Sequence, residues 1–278
     1  MTEVKGKSGL LSSVKLHVED TGGSGRPVVL IHGWPLSGES WSEQVGALSN
    51  AGYRVVRYDR RGFGRSDKPS GGFDYDTLAS DLSKVLEELD LNDATLVGFS
   101  MGGGEVARYI AKQGEGRLRS VVFAAAITPY LMKGDSNPDG PLTAEVAAEL
   151  AAGLSADRDS FFDGFMTAFF SANGVLKVTE SQRQEAIRQA QQSDQEAALR
   201  CMEAWGTTDF RDDLAKVTVP ALVVHGDGDA TVPLEGSGAR THLAIPHSEL
   251  VVIPDAPHGL NVSHADAFNT TLLEFLRR

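Results

Sequence analysis

Thr95-Leu96-Val97-Gly98-Phe99-Ser100-Met101-Gly102 is the stretch on which the fold turns. Thr95 to Gly98 is a short apolar run suited to a buried strand, and apolar residues recur at helical spacing from Gly102 to Lys112. Between them, Gly98-Phe99-Ser100-Met101-Gly102 has the G-x-S-x-G pattern of a sharp strand-to-helix turn. Such a turn strains the serine backbone, so the residues two positions to either side must be small. Gly98 and Gly102 meet that need. The turn projects the hydroxyl beyond the strand end, and the helix that follows offers N–H groups to a developing oxyanion. As a bare five-residue pattern the match is weak, and a glycine-rich turn with an incidental serine is the plain alternative. Its placement between an apolar strand and an amphipathic helix makes Ser100 the candidate nucleophile. Met101-Gly102-Gly103-Gly104 has neither the lysine of a phosphate-cradling loop nor dinucleotide-type glycine spacing, so no nucleotide site is expected.

Working outward, the same rhythm repeats. Val14 to Val18 alternates like a half-buried edge strand. Val28 to Ile31, Arg54 to Tyr58, Ser120 to Ala124, Ala221 to Val224 and Leu250 to Ile253 are short and mostly apolar, as strands covered on both faces require. Helical spacing separates them, for instance at Leu78, Leu82, Val85 and Leu86, and again from Ala265 to Leu276. Alternating strands and helices predict an α/β fold built on a mostly parallel, doubly wound sheet. The rhythm stops from about Pro129 to Asp213. There the chain is Ala/Glu/Gln-rich and helical, notably over Ala144 to Leu154 and Ser181 to Trp205, with Phe161, Phe162, Phe165, Phe169 and Phe170 clustered. This predicts a core of residues 1–129 and 214–278 with a helical cap inserted at 130–213. Extra packing helices on one face are the alternative. The cap is favoured because an insertion after a strand's C-terminal end falls where α/β sheets bind ligands.

Composition limits the function without naming it. The 278 residues carry a formal net charge of −12, which argues against a nucleic-acid partner and weakly against anionic substrates. No stretch is apolar over the roughly 18 to 20 residues that span a bilayer, and Met1 to Gly9 lacks an apolar leader core. The single cysteine, Cys201, fits a reducing, cytoplasmic setting. Nothing in the composition opposes a homo-oligomer.

A serine needs a base. Of seven histidines, His258 lies in Pro254-Asp255-Ala256-Pro257-His258-Gly259, just past a strand end, where a loop reaches the same edge as Ser100. His32 precedes the expected oxyanion loop and is read as its brace. His225 ends an apolar run and is read as structural, His242 and His247 as solvent-facing, His264 as a helix cap, and His17 as lying on a polar strand face. For the acid, Asp227 and Asp229 both follow the strand from Ala221 to Val224.

His32-Gly33-Trp34-Pro35, Asp59-Arg60-Arg61-Gly62-Phe63-Gly64-Arg65-Ser66, the Ser100 turn with Gly103-Gly104, His225-Gly226-Asp227-Gly228-Asp229 and Ala256-Pro257-His258-Gly259 together resemble the cofactor-free haloperoxidase, aryl esterase and perhydrolase group of α/β-hydrolases. The motifs run in family order through nearly the whole chain, the cap being least securely covered. The resemblance implies the α/β-hydrolase fold, with Asp229 as the acid and Asp227 shaping the turn. It also implies an oxyanion hole from the backbone N–H groups of Trp34 and Met101, and a scaffolding role for Asp59 to Ser66. Candidate pocket walls are Trp34, Leu131, Phe165, Phe169, Trp205 and Leu234; ordinary packing is the alternative for each cap aromatic.

The implied function is a serine-dependent carboxylic-ester hydrolase working through an acyl-enzyme on a small-molecule ester. With hydrogen peroxide in place of water it would make peracids, without haem, vanadium or another metal. Pro35 biases Trp34 toward extended backbone, which would hold the Trp34 carbonyl near the site to accept a hydrogen bond from peroxide. Stiffening of the loop alone is the alternative. Lactonase, lactamase or carbon–carbon bond hydrolase activity would use the same residues, and a non-catalytic ligand-binding protein is the alternative of a different class. Haloalkane dehalogenases and epoxide hydrolases usually place Asp at the turn, so Ser100 argues against both.

Overall fold

The computed structural model of the protein describes residues 2–6 and 14–278. The reading of Met1–Gly9 as lacking an apolar leader falls in part outside them. Eight strands form one sheet: β1 (Thr2–Gly6), β2 (Val14–Asp20), β3 (Pro27–Ile31), β4 (Arg54–Tyr58), β5 (Ala94–Phe99), β6 (Leu118–Ala124), β9 (Ala221–Gly226) and β10 (Glu249–Ile253). Their order is β1-β2-β4-β3-β5-β6-β9-β10, and two short strands between β6 and β9, β7 (Ser171–Ala172) and β8 (Val175–Leu176), pair apart from it. From β4 to β10 every neighbouring pair is parallel, whereas β1–β2 and β2–β4 are antiparallel. The fold is that of an α/β-hydrolase.

Every residue of β5 and β9 is buried, so helices must cover both faces of the sheet. One layer joins α1 (Ser42–Asn50), α10 (Leu260–Ser263) and α11 (Ala265–Leu276). The other joins α2 (Tyr75–Glu88), α3 (Met101–Gln113), α8 (Arg211–Leu214) and α9 (Gly238–Ala244). Helix α2, which carries the expected Leu78, Leu82, Val85 and Leu86 spacing, starts at Tyr75 because the Asp74 side chain accepts the Thr77 N–H at 2.9 Å. β1 was not expected. Its short polar sequence carries little alternation, and its strand form comes from pairing along the free edge of β2, from Thr2 with Val18 to Gly6 with Val14.

Between β6 and β9 lie α4 (Ala144–Ala156), α5 (Arg158–Phe169), the hairpin β7 (Ser171–Ala172) with β8 (Val175–Leu176), α6 (Glu180–Gln191) and α7 (Gln195–Thr207). The continuous helical stretch expected from Ser181 to Trp205 is broken at Ser193-Asp194. Asp194 donates its N–H to Gly62 O at 2.7 Å and caps α7 by accepting the Ala197 N–H at 3.0 Å. The hairpin was also missed, although Asn173-Gly174, both at positive φ, is a strong two-residue turn signal. Among the described residues no helix is long and apolar enough to cross a membrane.

Candidate active site

Ser100 sits between β5 and α3 with φ 54° and ψ −117°, a conformation L-residues rarely hold. Its surroundings enforce it. The Ser100 N–H donates to Ala124 O at 2.8 Å, and Ser100 O accepts the Gly103 N–H at 3.0 Å. A Cβ at residue 98 would lie 2.5 Å from Gly102 O, and one at residue 102 would lie 2.5 Å from Ile31 O. Glycine is therefore required at both positions by close backbone approach.

Strand ends bring the partners in. Gly226 pairs with Ile253, so Asp229 and His258 leave neighbouring strands at the same sheet edge as Ser100. His258 Nε2 lies 2.9 Å from Ser100 Oγ, and Nδ1 lies 2.7 Å from Asp229 Oδ2. A carboxylate only accepts, so Nδ1 carries the proton and Nε2 is free to take the serine proton. Asp229 Oδ1 accepts from the Thr231 and Val232 N–H groups at 3.0 and 2.8 Å. Burial by itself pushes this carboxyl up. The facing imidazoles of His258 and His225 outweigh it and hold Asp229 well below the usual carboxylate range. Asp227 is exposed and accepts the Asp255 N–H at 2.6 Å, in the loop that carries His258.

Trp34 and Met101 are related by the sheet register. Ile31 pairs with Gly98, and each chain then runs three residues further, which brings residues 34 and 101 to the same edge. Met101 opens α3, and the first N–H groups of a helix have no acceptor in a preceding turn. The two segments are tied together from below. Arg60 pairs with Glu105 of α3 and donates from Nη2 to His32 O at 2.7 Å, while Tyr58 donates to Glu105 at 2.7 Å. His32 accepts the Arg60 N–H at Nε2 and donates from Nδ1 to Gly33 O, both at 2.9 Å. Burial and the Arg60 charge hold its imidazole well below the ordinary range, hence neutral. Asp59 to Ser66 thus braces the site as the family resemblance implies, whereas Glu105 carries no local signal because its partner lies 45 residues away. Glu105→Ala strands a buried guanidinium, and a loss of about 3–5 kcal/mol is expected in denaturant unfolding. A loss under about 1 kcal/mol would mean the pair holds nothing together.

A cavity of about 290 Å³ opens beside Ser100 and His258. Trp34, Leu131, Phe165 and Trp205 line it as expected, joined by Ile127, Leu142, Leu150 and the 230–233 loop. Among the described residues, no charged side chain other than His258, when protonated, is in the lining. Trp34 packs its indole under the insertion, 5.2 Å from the Phe165 ring centroid and 6.1 Å from that of Trp205, and Nε1 donates to Ala198 O at 2.9 Å. Two expected walls are corrected. Phe169 is not in the lining; it stands edge-on to the His258 ring at 4.9 Å. Leu234 is not in it either, because the wall ends at Pro233, where the chain enters a 3-10 turn. Ile127, Leu142 and Leu150 carry no local signal, since each is an ordinary apolar residue until the fold brings them around one cavity.

Of the remaining histidines, one reaches the Asp229–His258–Ser100 chain among the described contacts. His17 faces Glu19 at 3.3 Å, and His247 is exposed. His242 is half-buried on Ser248, and His264 pairs with Ser263 without capping α11 through its side chain. His225 is the one that does: its Nε2 lies 3.3 Å from Asp229 Oδ2.

The family model of the alpha/beta hydrolase fold matches residues 26–265. The chain is 46% identical to a non-heme chloroperoxidase of Kitasatospora aureofaciens over 92% of this chain and 94% of that one. It is 36% identical to a bifunctional esterase/perhydrolase of Acinetobacter calcoaceticus over 95% and 96%. A bromoperoxidase crystal structure from Bacillus anthracis superposes with a TM-score of 0.95 at 48% identity, covering all of both chains. The chain belongs to the α/β-hydrolase family and, within it, to the group of non-haem haloperoxidases and esterase/perhydrolases.

Proposed function

We propose that the protein is a serine-dependent carboxylic-ester hydrolase that works through an acyl-enzyme, with Ser100 as nucleophile, His258 as base and Asp229 as the acid that orients it. The observation that carries this reading is the unbroken hydrogen-bonded chain Asp229–His258–Ser100 beside an apolar cavity. Ser100 Oγ attacks the ester carbonyl carbon while His258 Nε2 takes its proton. The carbonyl oxygen becomes an oxyanion received by the Trp34 and Met101 N–H groups. Collapse breaks the bond to the alkoxy group, which leaves with the proton from Nε2. His258 then takes a proton from water, the hydroxide attacks the acyl carbon, and the carboxylic acid departs as Ser100 recovers its proton. Asp229 stays ionised throughout.

Residues 1–129 and 214–278 act as the core in this reading and 130–213 as the cap, whose Phe165 and Trp205 make the pocket fit small apolar acyl groups better than charged ones. A single cysteine fits a reducing cytoplasmic setting; Cys201 itself is buried, and burial pushes its thiol up to about 12. The test is a panel of short neutral and carboxylated esters, with a fluorophosphonate probe. The neutral esters are expected to be turned over faster and the probe to label Ser100. No labelling and no turnover would leave a ligand-binding protein as the reading.

Hydrogen peroxide in place of water yields a peracid at the same carbon, and the kinship with an esterase/perhydrolase supports this second outcome. Trp34 lies in a turn closed by the Leu36 N–H on Gly33 O at 3.1 Å. With Pro35 restricting that backbone, the Trp34 carbonyl would accept a hydrogen bond from peroxide. Pro35→Leu is expected to lower peracid formation more than ester hydrolysis, measured on one ester with and without peroxide. Equal loss of both, or of neither, counts against the carbonyl's role.

A further inference from the structure

His225 is the penultimate residue of β9 and is fully buried. Its Nε2 lies 2.8 Å from Val232 O and 3.3 Å from Asp229 Oδ2. Both neighbours are acceptors, so this nitrogen carries the proton. Nδ1 has no hydrogen-bond partner among the described residues. Gly238 of α9 packs so near that a Cβ there would come within 2.5 Å of Nδ1. The ring is thus placed as an Nε2–H donor with a buried, unused lone pair on its other side. Leaving that lone pair unmet is unfavourable, and phenylalanine would fill a similar space without it. A histidine here is explained by what Nε2 holds.

What it holds is the loop of the acid: the Nε2–H bond goes to Val232 O, and Asp229 Oδ2 lies beside the same nitrogen at 3.3 Å. Asp229 Oδ1 is fixed by the Thr231 and Val232 N–H groups. Oδ2 faces two imidazoles, His258 at 2.7 Å and His225 at 3.3 Å. Val232 is held from both sides, its N–H given to Asp229 and its carbonyl receiving the His225 proton. Val232 also lines the cavity. We infer that His225 is a positioning residue, whose Nε2–H locks the Asp229 carboxylate and the Val232 wall so that Oδ2 meets His258 Nδ1 throughout acyl transfer. This rests on the Asp229–His258–Ser100 reading above.

Three variants test it. In His225→Gln the amide nitrogen reaches near the place of Nε2, whereas in His225→Asn the donor stops near the place of Nδ1, and His225→Phe keeps a ring without a donor. The Phe and Asn proteins are expected to lose about 10- to 100-fold in kcat through misplacement of the acid, with KM little changed. The low-field proton signal of His258 Nδ1–H should shift in both. The Gln protein should recover most of kcat and the parent signal. If the Phe protein fails to fold, the Gln and Asn pair decides. Folded Phe or Asn protein with parental kcat, or Gln no better than Asn, overturns the inference. Fluorophosphonate labelling of the parent separates the two readings: an unlabelled parent overturns the relay itself, while a labelled parent with unaffected His225 variants overturns only the role of His225.

Discussion

Purified Ser100→Ala protein is expected to keep its fold and lose ester turnover by roughly 10⁴- to 10⁶-fold. The substitution removes one oxygen from a turn whose shape comes from Gly98, Gly102 and the Ser100 N–H bond to Ala124. Alanine meets the positive φ of 54° with the same Cβ that serine has. The cost falls on chemistry: no oxygen remains 2.9 Å from His258 Nε2 to attack the ester. Any residual rate would come from water, with the oxyanion received by the proposed Trp34 and Met101 donors. Circular dichroism and ester turnover on one preparation check this. Native-like protein with undiminished turnover would remove Ser100 as the nucleophile.

Asp229→Asn should follow closely, with a loss of about 10⁴-fold in kcat, against no more than a few-fold for Asp227→Asn. The Thr231 and Val232 N–H groups need an acceptor, so they keep the amide oxygen at the place of Oδ1. The amide NH2 must then face His258 Nδ1, which can meet it only by giving up its proton. Nε2 becomes the protonated nitrogen and no longer accepts from Ser100. The His225 donor meets the same NH2, which adds strain. Acidification within the usual assay range does not mimic this change, because the Asp229 carboxyl is held well below the usual carboxylate range. Asp227 is exposed and shapes the loop through the Asp255 N–H. Turnover of both folded variants decides; the reverse ranking would make Asp227 the acid.

The stretch from Thr95 to Gly102 was legible because its constraints are local. Two glycines around a serine, between an apolar run and a helical one, leave few backbone paths. The Val-rich runs that became β3, β5, β6 and β9 were legible for a similar reason, since a strand buried on both faces needs apolar residues at successive positions. His258 could be chosen from its place after a strand. The same local information could not separate Asp227 from Asp229, two residues apart in one glycine-rich loop; the family resemblance was needed, and in the fold one is exposed while the other is buried against two imidazoles. Nor could it tell Phe165, in the cavity wall, from Phe169, one helical turn on and against His258. His225 read as a core residue because its 3.3 Å approach to Asp229 depends on how the loop after β9 folds back. Glu105 read as one more helix position because Arg60 reaches it from the end of β4, across the sheet register. The chain alone determined backbone shape and periodicity, which are set among residues a few positions apart. Only the tertiary structure decided which polar atoms are buried and what they face, because those contacts join residues from different strands and exist only once the sheet has aligned their ends.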